Sequence, residues 1–302
     1  MTDAGRLDEE GRKQGGMEQI LVNGTILAAN YALIALGITL IFSIMNVLNF
    51  AHGQMFMLGG LIVYYVCVVL HLPYALALIA AVVIVGLIGM LFEDVFFQRV
   101  MRISNREENT MLLAVGTSLL LENAALSLFG EKQRAIPPIV SGVYRIGNAF
   151  LPASRALVLV LSLVLIAAVL VFVNYTKTGR AMRALAQDRT ATLLMGVDAK
   201  RISTLGFGLG AALAGVAGGL LISISGVNAG IGTAISTKAF IMIMIGGAGV
   251  ISGSLLGAVV LGFAEAIGYA LIPGSVTYLL IFVALIVFLL FRPQGIMGKP
   301  AA

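Results

Sequence analysis

The chain has 302 residues, 60% of them hydrophobic and 11% charged. Soluble domains carry roughly 45–50% apolar and about 25% charged residues, and a globule of this length still needs a polar shell, so composition excludes a water-soluble fold and implies a lipid bilayer as the solvent. The net charge of +5 sits in short loops between apolar runs, where it reads as an orientation signal and not as a nucleic-acid footprint. One cysteine, Cys67, cannot close an internal disulfide, and two histidines, His52 and His71, are too few for a zinc site, so no metal and no bound cofactor is expected.

Residues 1–18 form a polar head of mixed charge that reads as a disordered extension. The first apolar run, about 19–48, is longer than one perpendicular span needs; it is either a single tilted helix or an interfacial piece followed by a span. The polar string Asn49-Phe50-Ala51-His52-Gly53 interrupts it. Further runs cover about 54–71, 74–97, 111–129, 154–174, 203–225, 255–272 and 275–291. Each is long enough to cross a bilayer. The piece at 239–250 is short and ends in Gly246-Gly247-Ala248-Gly249, so it is either a ninth span or a re-entrant element. The expectation is an all-α, polytopic transmembrane bundle of eight spans plus this piece.

The segment 175–202 carries Lys177, Arg180, Arg183, Arg189, Lys200 and Arg201 against Asp188 and Asp198, and the loop 99–109 carries Arg99, Arg102 and Arg106. Both are expected on the cytoplasmic side, with 130–153 external and Arg292 and Lys299 marking a cytoplasmic C-terminus. The threading of 19–53 leaves the side of the N-terminus open. Glycines recur four apart at Gly206 and Gly210, Gly215 and Gly219, and Gly249, Gly253 and Gly257, a spacing that lets apolar helices approach closely. Gly206-Phe207-Gly208-Leu209-Gly210 lacks the strand, spacing and later acid of a nucleotide loop.

Glu122 and Glu265 lie inside apolar runs. A central carboxylate costs about 2.5–3.5 kcal/mol on insertion scales, so each either lines a polar pathway or is protonated or paired to hold helices together. Lys238 and the Glu93-Asp94 pair stand at run ends, where snorkelling to water is expected. The broken-helix string with Asn49, His52 and Gly53, and the glycine stretch with Gly246, Gly247 and Gly249, are pathway candidates, because broken helices present backbone dipoles to a solute. Residues 180–195 are good helix formers, with Thr178 available as a cap and Gly196 as a stop. They predict a short helix between two spans with small and charged faces.

That segment, Thr178-Gly179-Arg180-Ala181-Met182-Arg183-Ala184-Leu185-Ala186-Gln187-Asp188 with Ala191 and Gly196, resembles the coupling-helix signature of ABC importer permeases. Tyr31-Ala32-Leu33-Ile34-Ala35, Asn49 to Gly53, Lys238-Ala239-Phe240, Gly246 to Gly249, Leu261-Gly262-Phe263-Ala264-Glu265 and Pro293-Gln294-Gly295-Ile296 resemble, in order, the LivH-type branched-chain amino acid permease family. The match runs from about 20 to 298, so 19–298 is expected to be one permease domain. The resemblance implies coupling to an ATPase through Gly179, Arg180, Ala181, Arg183, Ala184, Ala186, Asp188, Ala191 and Gly196. It implies a second homologous permease subunit, two cytoplasmic ATPase subunits that carry ATP and Mg, a periplasmic binding protein, and a bacterial inner-membrane location. The chain has no Gly-x-x-x-x-Gly-Lys-Ser/Thr loop, so it is not itself the ATPase. Related permeases import urea, short amides or sugars. An ion-coupled secondary carrier fits the broken helices but needs more intramembrane charge than two carboxylates, and a membrane enzyme lacks any nucleophile–base or metal constellation.

Overall fold

The computed structural model describes residues 3–103 and 107–298, with side chains from Gly16 onward except those of Arg102 and Glu107. Arg106 and Lys299, counted above as orientation signals, lie outside the described residues. In chain order the elements are α1 (Asp3–Met45), α2 (His52–Tyr64), α3 (Tyr74–Phe92), α4 (Gln98–Ile103), α5 (Glu107–Phe129), the hairpin strands β1 (Val143–Ile146) and β2 (Ala149–Pro152), α6 (Ala153–Tyr175), α7 (Lys177–Gln187), α8 (Arg189–Leu194), α9 (Ala199–Ser225), α10 (Ile231–Gly246), α11 (Ile251–Leu271) and α12 (Gly274–Phe291). Short π-helical segments extend α2 to Val69 and join α3 to α4. Among the described residues eight helices are long and apolar enough to cross a membrane. Helices dominate because hydrocarbon offers backbone groups no partner, and a helix satisfies them within one segment.

The first apolar run is a single helix, not an interfacial piece plus a span. Its helix starts at Asp3, so the head expected to be disordered continues α1 through residues 3–18. The irregular segment 130–153 holds the antiparallel β1–β2 hairpin, in which Tyr144 pairs with Leu151.

Two helices form the centre. Residues Leu33 to Leu36 of α1 are completely buried, as are Ala211, Ala214 and Leu220 of α9. These helices run antiparallel: Ile44 packs on Gly206, Gly37 on Gly210, and Asn30 Nδ2 donates to the Ala217 carbonyl (3.2 Å). α11 passes α1 with Gly262 against Ala28, and α2 passes α9 with Gly59 against Gly215. Lipid supplies no hydrophobic drive between helices, so this close backbone approach is what the small residues contribute. The four-residue glycine spacing therefore marks real packing seams.

The hairpin fixes the orientation. Asn148 N donates to Glu18 Oε2 (2.5 Å) and Phe150 N to Gln19 Oε1 (2.9 Å), so the outer end of α1 sits on the 130–153 segment. With that segment taken as external by charge, α1 runs inward from the same side. The stretch before α10 is held by Arg134, whose N donates to Val227 O at 2.8 Å, while the far end of α10 is tied to the C-terminal tail by Ile296 N to Ile245 O (2.8 Å). The chain therefore passes from the 130–153 side to the tail over residues 227–246, although α10 itself, at 16 residues, is shorter than the eight spanning helices.

A membrane-impermeant maleimide checks this in a Cys67→Ser background. Cysteines at Gln19 and Asn148 should label from the outside, and one at Arg292 only after the membrane is opened; inside labelling of Gln19 with outside labelling of Asn148 contradicts the fold.

Candidate functional site: a mid-depth cavity at a broken helix and an inner handle

α1 ends at Met45, and Asn46 takes a left-handed backbone (φ 53°) that turns the chain back; asparagine tolerates that region better than most side chains. Residues 46–51 then climb alongside α1 until His52 Nε2 lies 3.2 Å from the Ile34 carbonyl, within the buried stretch Leu33 to Leu36. This is non-helical backbone at membrane depth, tolerable only when protein or a cavity satisfies it. Asn49 Oδ1 accepts from Ala51 N (3.0 Å). Ser236 on α10 stitches both sides, its hydroxyl donating to Phe50 O (2.8 Å) and accepting from Gly53 N (3.0 Å). Gly53 is needed for this approach, because a Cβ there would collide with the Gly232 carbonyl. Three buried side-chain atoms stay without a protein partner over this short stretch: Asn49 Nδ2, His52 Nδ1 and Gln54 Oε1. Orphaned buried polar groups are rare and mark places where another group is to be met.

A cavity of about 460 Å³ opens on the break, lined by Leu48, Phe50, Ser118, Thr233, Thr237, Phe240 and Met244 and by the α12 residues Phe282 and Leu285. Phe50 and Phe240 meet at 4.6 Å between ring centres. The lining is apolar with a few hydroxyls, the usual composition of a small-molecule site. Beside it, Thr233 Oγ1 donates to Glu122 Oε2 (2.6 Å), and Gln54 Nε2 donates to the same oxygen (3.2 Å) and to Ser118 Oγ (3.2 Å).

Glu265 has a different setting. Lys238 Nζ lies 2.7 Å from its Oε1, and Tyr31 donates to its Oε2 (2.5 Å) while accepting from Lys238 (2.7 Å). Both ion-pair partners are withdrawn from the surface. Lys238 does not snorkel: α10 begins at Ile231, so this lysine lies in mid-helix and ties α10, α11 and α1 together. Glu93 does not snorkel either. It is fully buried and accepts from Gln98 (3.1 Å) and Thr204 (2.6 Å), while its neighbour Asp94 pairs with Lys200 at 2.7 Å.

On the cytoplasmic side the polar segment forms two helices, not one. Thr176, rather than Thr178, caps α7 by accepting from Gly179 N (3.0 Å), and Asp188 breaks the run and caps α8 by accepting from Ala191 N (2.9 Å). Asp is a stronger cap than helix former, which decides the break. Gly196 ends α8 at φ 80° as expected. Gly179, Met182 and Leu185 bury one face of α7. Arg180, Ala186 and Asp188 stay exposed, as do Leu194 (84%) and Met195 (83%). A second cavity of about 580 Å³ lies between this handle and the inner ends of α1, α6 and α11, lined by Ser43, Met182, Arg183, Ala186, Gly249 and Ser252.

The family model described as "Branched-chain amino acid transport system / permease component" matches residues 20–290. The chain belongs to this permease family. It is similar to the "High-affinity branched-chain amino acid transport system permease protein BraD" of Pseudomonas aeruginosa, at 35% identity over 93% of this chain and 96% of the relative. It is similar to the corresponding LivH protein of Escherichia coli K12 at 32% with the same coverage, and to a "Probable branched-chain amino acid transport permease protein LivH" of Methanocaldococcus jannaschii at 28% over 93% of each. No solved structure matches.

The sequence candidates thus fall into separate places. Asn49, His52, Gly53 and Glu122 surround the mid-depth cavity, without their own side chains forming its wall. Glu265 is bound into the Lys238 lock. Gly246 packs on the Gly253 backbone and Gly247 on the tail at Gly298, both at the inner end. Gly249 lines the inner cavity with Arg183 and Ala186 of the handle. Gln54, Ser118, Thr233, Ser236 and Thr237 also belong to this region and were not among the candidates above. One signal was available: Val115, Ser118, Leu119 and Glu122 recur at helical spacing, and so do Thr233 and Thr237.

Lys238→Met alone strands a buried carboxylate and should destabilise by about 3–5 kcal/mol, whereas Lys238→Met with Glu265→Leu should recover most of it. Thermal unfolding of the detergent-solubilised variants reads this; equal losses in single and double variants would show that the pair does not act as a unit.

Proposed function

We propose that this chain is the permease subunit of an ABC importer that carries leucine, isoleucine or valine across the bacterial inner membrane. It pairs with a second, homologous permease subunit. Two cytoplasmic ATPase subunits, which bind ATP and Mg, drive the pair, and a periplasmic binding protein delivers the amino acid. The chain itself contributes the pathway and no cofactor. The supporting observation is the family membership across nearly the whole chain, joined to a rigid, capped handle on the positively charged face of the bundle.

The handle suits a docking role physically. α7 is anchored by its buried face, so a push on it is transmitted to the spans and not absorbed by a loose loop. Leu193, Leu194 and Met195 stand exposed outside the spanning helices, where water makes apolar surface costly, about 25 cal/mol per Å². A partner protein removes that cost. Alternating access then follows from movement of the handle, with the solute passing the mid-depth cavity.

Vesicles holding all the subunits should import leucine only with ATP and the binding protein. A cysteine at Leu194 should crosslink to the ATPase, and Leu194→Asp should lower uptake at least tenfold with the bundle's melting temperature unchanged, since the side chain is exposed. Full uptake by that variant together with no crosslink would remove α8 from the docking surface.

A further inference from the structure

We propose that Glu122, with Gln54 and Thr233 around it, is the ammonium-binding end of a substrate subsite, and that the cavity between the α1–α2 break, α5, α10 and α12 receives the aliphatic side chain. This rests on the reading of the chain as an amino acid permease and names the part of the pathway that recognises the solute.

Charge separates the two intramembrane carboxylates. Glu265 is neutralised by Lys238 at 2.7 Å. Among the described residues Glu122 has no cationic partner; its neighbours at hydrogen-bond distance are the amide of Gln54 and the hydroxyl of Thr233. Both donate to a single oxygen, Oε2. An intramembrane carboxylate without a fixed cation marks a solute or ion path, and a cationic solute group is what would complete it.

The surroundings suit an ammonium. Gln54 is completely buried, and its Nε2 reaches Ser118 and Glu122. The carboxylate fixes this orientation, because a flipped amide would set oxygen against oxygen. Its Oε1 is then left as an acceptor without a donor. An ammonium brings three donors and no acceptor, the complement of a carboxylate whose two protein donors both lie on one oxygen, Oε2.

Position and shape point the same way. Ser118 and Glu122 are four apart on α5 and face the same side. Ser118 and Thr233 touch both the Glu122 cluster and the cavity wall, so the polar end and the apolar end are contiguous. Two of the contributing helices offer their middles, 115–119 of α5 and 282–285 of α12, beside 233–244 along most of α10 and the break level with Ile34 of α1. That is the depth at which a transported solute is held between two accesses. The cavity's volume of about 460 Å³ falls in the roughly 300–1,000 Å³ range of small-molecule sites. No Lys or Arg lines it, so the substrate carboxylate meets only hydroxyls. The site therefore reads the ammonium and the side chain, and it holds the solute weakly enough to release it.

The test uses the assembled importer in lipid nanodiscs without the binding protein. Saturation-transfer NMR should show leucine contacting the complex. Leucinamide, which keeps the ammonium and lacks the carboxylate, should displace it; 4-methylpentanoate, which keeps the carboxylate and lacks the ammonium, should not at the same concentration. Glu122→Gln should lower leucine uptake at least tenfold in complexes of normal subunit composition, while the exposed neighbour Asn123→Gln keeps the wild-type rate. Displacement by 4-methylpentanoate as strong as by leucinamide, no leucine contact in the wild-type complex, or wild-type uptake by an assembled Glu122→Gln complex would each overturn the proposal. The competition pattern needs no variant, so a misassembled Glu122→Gln complex leaves it decisive. Wild-type complexes that assemble and hydrolyse ATP but import no leucine would instead refute the importer reading on which the proposal stands.

Discussion

Inside hydrocarbon every backbone N–H and C=O must find a partner within the protein, and the break at residues 46–51 is where this constraint is hardest to meet. The chain meets it with side chains brought from other elements: Ser236 bonds to both Phe50 and Gly53, Asn49 bonds to Ala51, and the His52 ring lies on the Ile34 carbonyl. These bonds work only if α10 lies directly against the head of α2, which requires Gly53 and Gly232 to touch. Once that contact is made, Phe50 and Leu48 are forced outward over α5 and α12. The cavity is thus a consequence of how the broken helix is satisfied.

The same accounting separates the charges. A carboxylate at the centre of a span costs about 2.5–3.5 kcal/mol, and the fold offsets that cost for Glu265 with a lysine and a tyrosine from two other helices. For Glu122 it offers only neutral donors. Two residues that looked alike in the chain therefore have different settings: one closes a three-helix lock, and the other meets only neutral donors beside a cavity. Lys238 makes the difference, since it stands on α10 within reach of one and on the wrong face for the other.

Much of this was legible in the chain. Apolar run lengths marked the spans and the polar string 49–53 marked the break, because each signal is local and hydrocarbon enforces it strongly. What stayed hidden depends on where elements begin. Ser, Thr and Gly after residue 226 masked the first turns of α10, so Lys238 looked like a run end. Thr176 and Thr178 are both acceptable caps, and only the turn at the end of α6, with ψ 158° at Thr176, selects the first. The cavity wall was illegible for a further reason: its members come from four elements far apart in the chain, and no single stretch carries the pattern.

The inner handle and the break are joined by packing. Met182 and Leu185 of α7 share one apolar cluster with Ile41, Ile44 and Met45 at the end of α1, with Val47 in the break, and with Phe207 of α9. Cores of this density do not compress, so a shift of α7 must be taken up by moving α1, the turn at Asn46, or both. The turn is the softer of the two. α1 is locked along its length against α9 and α11, whereas residues 46–51 lie outside any helix and only their ends, Asn46 and Ala51, share in the ladders of α1 and α2. A force applied at the handle is therefore delivered to the strand of backbone that carries Leu48 and Phe50, the two residues of the break that wall the cavity. On the importer reading, this is how hydrolysis on the cytoplasmic side reaches a site at mid-depth without any residue spanning the distance between them.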